Sequence, residues 1–324
     1  MEVAQWQDKA LCGPGSPDPR TTLRKVTDRA AYQALRGVWS VLESASLARA
    51  RGGLERLADL FARADRNHRR VVEENLEIAF PSMDTVVRDS VVRATFQNWG
   101  RIIAEIAHCD DVLDAARLDP DWTSLRAAVA EGRASGRGLL LLTAHIGNFE
   151  LLARIFGSLV APVAVFHRSL GVAEIDRFVL SERERCGVTT LGRGGSVRDA
   201  LRILAGGGCV AVPLDQNQRD GRGIFIDVLG HPACTSTMLA RLSLATGAPV
   251  LPVFSVWQGD RTSPVLCELI SPPEGRLGGG ERESALRDLT ERYGREVDRV
   301  VRRFPHQWNW AHRRWKTRPR PSTA

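Results

Sequence analysis

The residues best suited to chemistry are a histidine and a glutamate that lie five positions apart, His145 and Glu150. They follow a run of four leucines, which is typical of a strand buried on both faces within a parallel sheet. After Gly147, apolar residues recur at the spacing of a helix. We therefore expect His145 in the turn between a strand and a helix, where open α/β sheets place their ligand sites.

Two positions five apart on a regular helix point about 140° away from each other. His145 and Glu150 can therefore meet only if the histidine lies in the loop before the helix, and Gly147 permits the necessary bend. A carboxylate that binds one imidazole nitrogen leaves the other free to accept a proton from a hydroxyl group. The spacing is compatible with such a general base, and equally with a surface pair or a buried structural histidine.

Three further polar residues follow other predicted strands. Asp215 ends the fourth apolar run, where it could support the histidine, bind an acceptor hydroxyl, pair with an arginine or simply form a turn. Arg168 follows the second run, and Arg193 lies in a glycine-rich turn before a helix. A guanidinium group suits phosphate or carboxylate, although surface and turn positions for these arginines are the plain alternatives.

Motifs for other chemistries are missing from the sequence. It contains no G-x-S-x-G nucleophile turn and no H-E-x-x-H zinc motif. Its six cysteines are scattered without a C-x-x-C pair, which argues against a zinc site and a disulfide framework and favours a reducing compartment. We expect neither a metal nor a cofactor.

The surrounding pattern predicts a mixed α/β fold in which a mostly parallel central sheet is flanked by helices, with a helical cap at the amino terminus. The predicted strands cover residues 138–144, 161–166, 187–192, 208–213, 249–257 and 264–270. The predicted helices of the same part cover residues 147–158, 172–186, 196–206, 234–247 and 281–303.

The chain divides into four predicted regions. Residues 1–21 form a disordered leader, residues 22–136 a helical region, residues 137–318 the α/β core and residues 319–324 a loose tail. The helical region and the core are expected to form one domain.

Charge and tryptophan content indicate the class of partner. The 324 residues carry a net charge of +7, mostly from arginine, which suits an anionic partner such as phosphate, a lipid headgroup, nucleic acid or an acidic carrier protein. No apolar run reaches the roughly 18–20 residues that span a bilayer. Near the carboxyl end, Trp308, Trp310 and Trp315 lie among cations, which is compatible with a membrane interface, with packing on the sheet or, less favoured, with nucleic-acid stacking.

Several blocks of the sequence resemble those of one known family. Thr143-Ala-His145-Ile-Gly-Asn-Phe-Glu150 is similar to the H-x-x-x-x-[D/E] block of the bacterial lipid A late acyltransferases, which include lauroyl and myristoyl transferases and phosphatidylinositol mannoside acyltransferase relatives. Residues 75–81, 223–252 and 307–316 resemble further blocks of that family, in the same order. The resemblance covers residues 30–318.

The resemblance implies a glycerolphosphate-acyltransferase-like fold and a reaction. A fatty acyl group would pass from an acyl thioester to a hydroxyl of a glycolipid, such as a lipid A precursor. His145 would be the general base, and Glu150 would orient it and stabilise the imidazolium. Substrate contacts are expected from a small set of polar residues, namely Asn148, Arg168, Arg193 and Asp215.

The same resemblance implies acyl carrier protein or acyl-coenzyme A as the donor, with no cofactor and no nucleic-acid partner. The enzyme would bind an anionic membrane surface peripherally, on the cytoplasmic face of the inner membrane. Two departures bear on this. Residues 30–62 are too charged to form a membrane-spanning anchor, and residues 216–218 lack a second charged group, which leaves the acceptor open. A lipid-binding homologue without the chemistry is the first alternative, and a basic nucleic-acid-binding protein is a second, less favoured one.

Overall fold

The computed structural model describes residues 19–167, 171–192 and 196–319. In this described part, six helices precede the first strand and confirm the predicted helical amino-terminal region. They are α1 (Pro19–Ser44), α2 (Leu47–Ala64), α3 (Arg66–Ala79), α4 (Thr85–Ala107), α5 (Cys109–Leu118) and α6 (Pro120–Arg133). Aspartates cap three of them by accepting backbone N–H groups of the first turn, namely Asp65, Asp84 and Asp119.

Strands and helices then alternate along the rest of the chain. The elements up to the fourth strand are β1 (Leu139–Thr143), α7 (Phe149–Ile155), a π-helical turn (Phe156–Val160), β2 (Val163–Phe166), α8 (Ala173–Arg185), β3 (Val188–Leu191), α9 (Ser196–Ala205) and β4 (Cys209–Pro213). The remaining elements are β5 (Ile224–Val228), β6 (His231–Thr235), α10 (Met238–Thr246), β7 (Val250–Gln258), β8 (Arg261–Leu266), α11 (Gly279–Arg303) and a 3-10 turn (Pro305–Gln307).

Six strands form the central sheet in the order β3-β2-β4-β1-β7-β8. The first five run parallel, and β8 pairs antiparallel with β7. The predicted α/β class with a mostly parallel sheet is therefore confirmed.

The leucines of β1 divide the core into two layers, one on each face of the sheet. Leu140 and Leu142 pack with α11 and other elements of one layer, whereas Leu139 and Leu141 pack with α5, α6 and α7 in the other. Alternate side chains of a strand point to opposite faces, so covering both faces with helices requires the uninterrupted apolar run that the sequence shows.

One part of the predicted pattern is wrong. Residues 234–235 do not begin a helix but end β6, which pairs antiparallel with β5, and α10 starts only at Met238. The reason is a two-residue turn in which Leu229 and Gly230 both have positive φ, of 55° and 94°. Such a turn joins two strands into a hairpin. In addition, β8 begins at Arg261, three residues before the predicted start.

Some predictions lie outside the described residues. Most of the predicted leader, residues 1–18, and most of the tail, residues 320–324, are among these, and the division into a helical region and a core stays a prediction. Within the described ranges, no helix combines the length and apolar character that crossing a bilayer requires.

The register between β1 and β4 positions the candidate site. Thr143 lies opposite Pro213 at the carboxyl ends of these two parallel strands. The loops that follow therefore leave the sheet side by side, with His145 and Asp215 each two residues beyond the paired positions.

Candidate active site

His145 and Asp215 make two hydrogen bonds with each other. The Nδ1 atom of His145 lies 2.8 Å from Oδ1 of Asp215, and the backbone N–H of His145 donates to Oδ2 at 2.8 Å. The indole Nε1–H of Trp308 also donates to Oδ2, at 2.8 Å. The buried carboxylate thus fixes both the backbone and the ring of His145.

These contacts shift the pKa of both partners. Burial acts to raise the pKa of Asp215, but the charge of His145 and the hydrogen bonds from His145 and Trp308 outweigh it and hold the pKa well below its usual range. Burial acts to lower the pKa of His145, but Asp215 outweighs it, with a further contribution from Glu150, and the pKa is raised. Asp215 therefore stays ionised, and the imidazole is a stronger base than a free histidine.

The second ring nitrogen of His145, Nε2, lies on the side of the ring away from Asp215. With the Nδ1 proton directed at Asp215, Nε2 carries the lone pair, and the side-chain amide nitrogen of Gln216 lies 3.3 Å from it. The ring packs edge-on against Phe149, with the ring centroids 4.7 Å apart. His145 can thus accept a proton at Nε2 while Asp215 and Phe149 hold its orientation.

Glu150 occupies a different place from the predicted one. It is the second residue of α7, and its carboxylate accepts hydrogen bonds from Arg183 on α8, one of them from Nε to Oε2 at 3.1 Å. Arg183 also donates from Nη1 to Nδ1 of His167 at 3.2 Å. The carboxylate that binds His145 is that of Asp215, whereas Glu150 acts on the ring only through its charge. The register of β1 and β4 explains why Asp215 takes the position.

Asn148 has a structural setting instead of the predicted contact with substrate. It caps the amino terminus of α7, where Oδ1 accepts from the backbone N–H of Leu151 at 2.9 Å. Its Nδ2 donates to Glu105 at 2.8 Å, and the residue is fully buried. Both amide atoms are therefore occupied within the protein.

Three other residues are predicted to contact the substrate, namely Arg168, Arg193 and Asp215. Arg168 and Arg193 lie outside the described residues, so their roles stay predictions. Asp215 uses both carboxylate oxygens on His145 and Trp308, and its side chain is only 4% exposed. Of the alternatives for Asp215, the structure thus favours support of the histidine over a contact with the acceptor.

An apolar cavity opens beside His145 and reaches between the sheet and α7. It contains about 730 Å³ of empty space, including its open mouth. Polar groups of His145, Glu150 and Arg183 line the mouth. Apolar side chains line the walls, namely Leu141, Phe149, Leu152, Ala153, Phe156, Val163, Val165, Phe166, Ala211 and Val253. Val163 begins β2 and Phe156 follows the end of α7, so the cavity extends along the strands away from the histidine.

A wider cleft lies in front of the histidine. Its walls come from α1, α4 and α8 and include Trp39, Trp99 and Phe178. His145, Glu150, Arg183 and Gln216 line the same cleft. The histidine therefore lies where a narrow apolar cavity meets a broad, partly polar cleft, an arrangement that can bring two ligands together.

The carboxyl-terminal segment holds the loop that contains His145 in place. The backbone N–H of Gly147 donates to the carbonyl of Gln307 at 3.0 Å, and that of Asn309 donates to the carbonyl of His145 at 2.9 Å. Gly147 has a φ of 52°, and a Cβ atom there would lie 2.0 Å from the carbonyl oxygen of Ser255. The bend that the sequence predicts therefore requires glycine.

The tryptophans of that segment pack inside the protein. Trp308, Trp310 and Trp315 are 3%, 0% and 2% exposed. Packing on the sheet, one of the alternatives left open by the sequence, is thus what the structure shows, and these indoles offer no surface to a membrane or a nucleic acid.

Sequence reasoning missed two members of the site, Arg183 and Trp308. Arg183 is one of several arginines in a polar helix, and nothing in its spacing distinguishes it. Trp308 lies in a block that resembles the family, which marks it without indicating its partner. Among the described residues, no group of three or more histidine, cysteine, aspartate or glutamate side chains is placed to hold a metal ion.

Comparison with known proteins identifies the family of the chain. The family described as bacterial lipid A biosynthesis acyltransferase matches residues 20–317. The lipid A biosynthesis lauroyltransferase of Escherichia coli K12 is 27% identical over 81% of this chain and 84% of its own length. The palmitoleoyltransferase of lipid A biosynthesis from the same organism is 23% identical over 77% and 79%, respectively. The phosphatidylinositol mannoside acyltransferase of Mycolicibacterium smegmatis is 23% identical over 71% and 73%. The chain is an O-acyltransferase that belongs to the bacterial lipid A biosynthesis acyltransferase family.

Proposed function

We propose that this enzyme transfers a fatty acyl group from an acyl thioester to a hydroxyl group of a glycolipid, with His145 as the general base. The observation that carries the proposal is the Asp215–His145 pair: Nε2 of His145 lies opposite the side that Asp215 binds, beside the Gln216 amide, and His145 lines both an apolar cavity and a wider cleft. The cavity suits a fatty acyl chain, because its walls are almost wholly apolar. The wider cleft suits a larger, amphipathic acceptor.

The reaction needs no covalent enzyme intermediate. The acceptor hydroxyl gives its proton to Nε2 of His145 as its oxygen attacks the thioester carbonyl carbon. The tetrahedral intermediate then collapses, the carbon–sulfur bond breaks, and the imidazolium returns the proton to the leaving thiolate. Asp215 holds the required tautomer and stabilises the positive charge on the ring.

Glu150 and Arg183 act on the same step from a distance. The negative charge of Glu150 raises the pKa of His145, so it stabilises the imidazolium that forms during attack. Arg183 fixes the position of that carboxylate through its two hydrogen bonds. The predicted stabilising role of Glu150 is therefore retained, whereas Asp215 takes over the predicted orienting role.

The partners follow from charge and surface chemistry. Acyl carrier protein and acyl-coenzyme A are both anionic, and the net charge of +7 favours either donor. Arg168 and Arg193 are our candidates for contacts with the phosphate groups of the donor or of a glycolipid such as a lipid A precursor.

We also propose that the enzyme binds peripherally to the cytoplasmic face of the bacterial inner membrane. Large apolar side chains are exposed on α1, α2 and α4, namely Val38, Val41, Leu57, Leu60, Phe61, Trp99 and Ile103. Arg49, Arg56 and Arg63 lie on α2. An apolar face with nearby cations suits an anionic bilayer surface.

An in vitro transfer assay tests the proposal. Purified enzyme is incubated with an acyl-coenzyme A and a lipid A precursor, and both thiol release and the mass of the lipid product are measured. We expect one added acyl group per acceptor with the wild type. We expect loss of the product with His145→Ala but not with His231→Ala, a matched change on β6. Equal thiol release and equal product from wild type and His145→Ala would contradict the proposal.

A further inference from the structure

Two buried thiols face each other outside the cleft. The sulfur atoms of Cys109 and Cys186 are 4.0 Å apart. Cys109 is the first residue of α5, and Cys186 directly follows α8. The two residues are only 1% and 2% exposed, so the pair is held between elements that are distant in sequence.

A buried cation adjoins this pair. Arg154 on α7 is 2% exposed, and its nearest ion-pair partner, Glu182, lies 3.8 Å away. In the part of the chain that the structure describes, Nε and Nη1 of Arg154 have no hydrogen-bond partner. A guanidinium group without a close carboxylate favours an anion beside it, and a cysteine thiolate supplies one.

The two thiols differ in acidity. A hydrogen bond from Cys109, outweighing burial and assisted by the charge of Arg154, lowers the pKa of Cys186 to about 6. The same hydrogen bond, together with burial, raises the pKa of Cys109. Cys186 is therefore the more acidic thiol of the pair and Cys109 the less acidic one, which is the arrangement of a reactive and a resolving cysteine.

We propose that Cys109 and Cys186 form a reversible disulfide when the enzyme meets hydrogen peroxide, and that this bond disturbs the neighbouring Glu150–Arg183 pair. The Cys186 sulfur attacks one peroxide oxygen, the oxygen–oxygen bond breaks, and hydroxide leaves, so Cys186 becomes a sulfenic acid. The Cys109 sulfur then attacks the Cys186 sulfur, and the sulfenic oxygen leaves as water with the proton of Cys109. Two thiols are oxidised and one peroxide is reduced to two water molecules, counting the proton that hydroxide takes up.

The geometry requires only a small movement. A disulfide brings its sulfurs to about 2 Å, so the two atoms must approach each other by about 2 Å from their present separation of 4.0 Å. The helix α8 has no buried residue among those the structure describes. Local opening that admits peroxide is therefore less costly at α8 than at the strands of the core.

Formation of the disulfide would change the positions of Arg183 and Glu150 in the cleft through a shift of α8. The backbone N–H of Cys186 donates to the carbonyl of Arg183 at 3.0 Å, and Arg183 holds Glu150. The bond also removes the Cys186 thiol from beside Arg154. Arg154 lies on α7, four residues after Glu150. The effect on activity rests on the proposed function, whereas formation of the disulfide does not.

Peptide mapping tests the disulfide. The full-length reduced enzyme is treated with hydrogen peroxide, its free thiols are alkylated, and its digest is searched for a peptide pair linked through Cys109 and Cys186. We expect the linked pair in the wild type and in Cys209→Ser, its disappearance with a thiol reductant, and its absence from Cys109→Ser and Cys186→Ser. Full alkylation of both cysteines in the peroxide-treated wild type would overturn the proposal, and so would oxidation of Cys186 to sulfinic acid without a link.

Activity supplies the second readout. After peroxide treatment we expect the acyl-transfer rate of the wild type to fall several-fold and to recover with reductant, whereas the rate of Cys109→Ser, which cannot form the bond, should fall much less. Unchanged activity in a sample that is fully cross-linked would overturn the effect on Glu150 and Arg183. If the untreated wild type transfers no acyl group, the proposed function fails, and the mapping result still decides on the disulfide.

Discussion

The carboxylate of Asp215 binds both the backbone N–H and the imidazole of His145, although the two residues lie 70 positions apart. Each follows the end of a parallel strand by two residues, and the two strands are neighbours. The sheet therefore brings His145 and Asp215 together, and their pairing depends on the order of the strands, not on residues near either of them in the sequence.

Replacement of Asp215 by asparagine tests this pair. The amide keeps the shape of the side chain but removes the charge that stabilises the imidazolium, so we expect kcat to fall by about 10²-fold or more. The change is measured with steady-state kinetics at saturating donor. Asp199→Asn, on the exposed face of α9, is the matched control and should retain full activity. A kcat within a factor of a few of the wild type would exclude Asp215 from catalysis.

The pH profile tests the base itself. Only a neutral imidazole accepts a proton, so kcat/KM should rise with pH through the pKa of His145, which lies above its ordinary value of 6.5. Because the charges of Asp215 and Glu150 raise this pKa, Asp215→Asn and Glu150→Gln should each move the rising limb to lower pH. We expect the larger shift from Asp215→Asn. A limb that stays in place in both variants would show that another group controls the profile.

Substitution of Gly147 by alanine tests the bend of the catalytic loop. The new Cβ atom would collide with the carbonyl oxygen of Ser255, and the φ of 52° is itself unfavourable. We expect the free energy of unfolding, measured with urea, to fall by about 2–3 kcal/mol. Gly136→Ala has a similar φ of 70° but open space around its Cβ position, so it should cost only about 1 kcal/mol. Equal losses would show that the contact with Ser255 is unimportant.

Narrowing of the apolar cavity tests its role in binding the acyl chain. Ala153→Leu adds three carbon atoms to a wall of the cavity. At about 0.8 kcal/mol for each displaced methylene, kcat/KM for long-chain donors should fall roughly 10- to 100-fold. Short-chain donors should be affected much less. Ala134→Leu, at an exposed position after α6, should alter neither value. A uniform loss for every chain length would argue that the acyl chain lies elsewhere.

Replacement of Glu105 tests the hydrogen-bond network that holds Asn148, the residue that caps α7. This fully buried carboxylate accepts hydrogen bonds from five side chains on different elements, namely Arg51, Arg101, Asn148, Trp257 and Thr262. Glu105→Ala would leave two arginines without their partner, and we expect it to lower the free energy of unfolding by about 3–5 kcal/mol. Glu55→Ala on α2 serves as the control, with an expected change within about 0.5 kcal/mol. A small effect at Glu105 would show that the network is not structurally important.

Periodicity alone established most of the fold. The alternation of short apolar runs with amphipathic stretches predicted each strand of the central sheet, because burial on two faces demands an uninterrupted apolar run. The sequence pattern did not predict the hairpin of β5 and β6. This hairpin depends on a positive φ at Leu229, and leucine rarely adopts a positive φ. The same hairpin occupies the start of the stretch that was predicted as one helix, residues 234–247.

The place of His145 was likewise determined by local sequence, because a leucine run, a glycine and a helical repeat follow one another within a few residues. Local sequence did not determine whether Glu150 or Asp215 is the partner of His145. That choice depends on which strands are neighbours in the sheet, and strand order arises from packing between segments far apart in the chain. The burial of the three tryptophans has the same origin, since aromatic and basic residues together suit a membrane or a protein core equally well. Only the tertiary structure assigned Trp308 to Asp215, by closing the carboxyl-terminal segment over the loop of His145, and Arg183 to Glu150, by packing α8 beside α7.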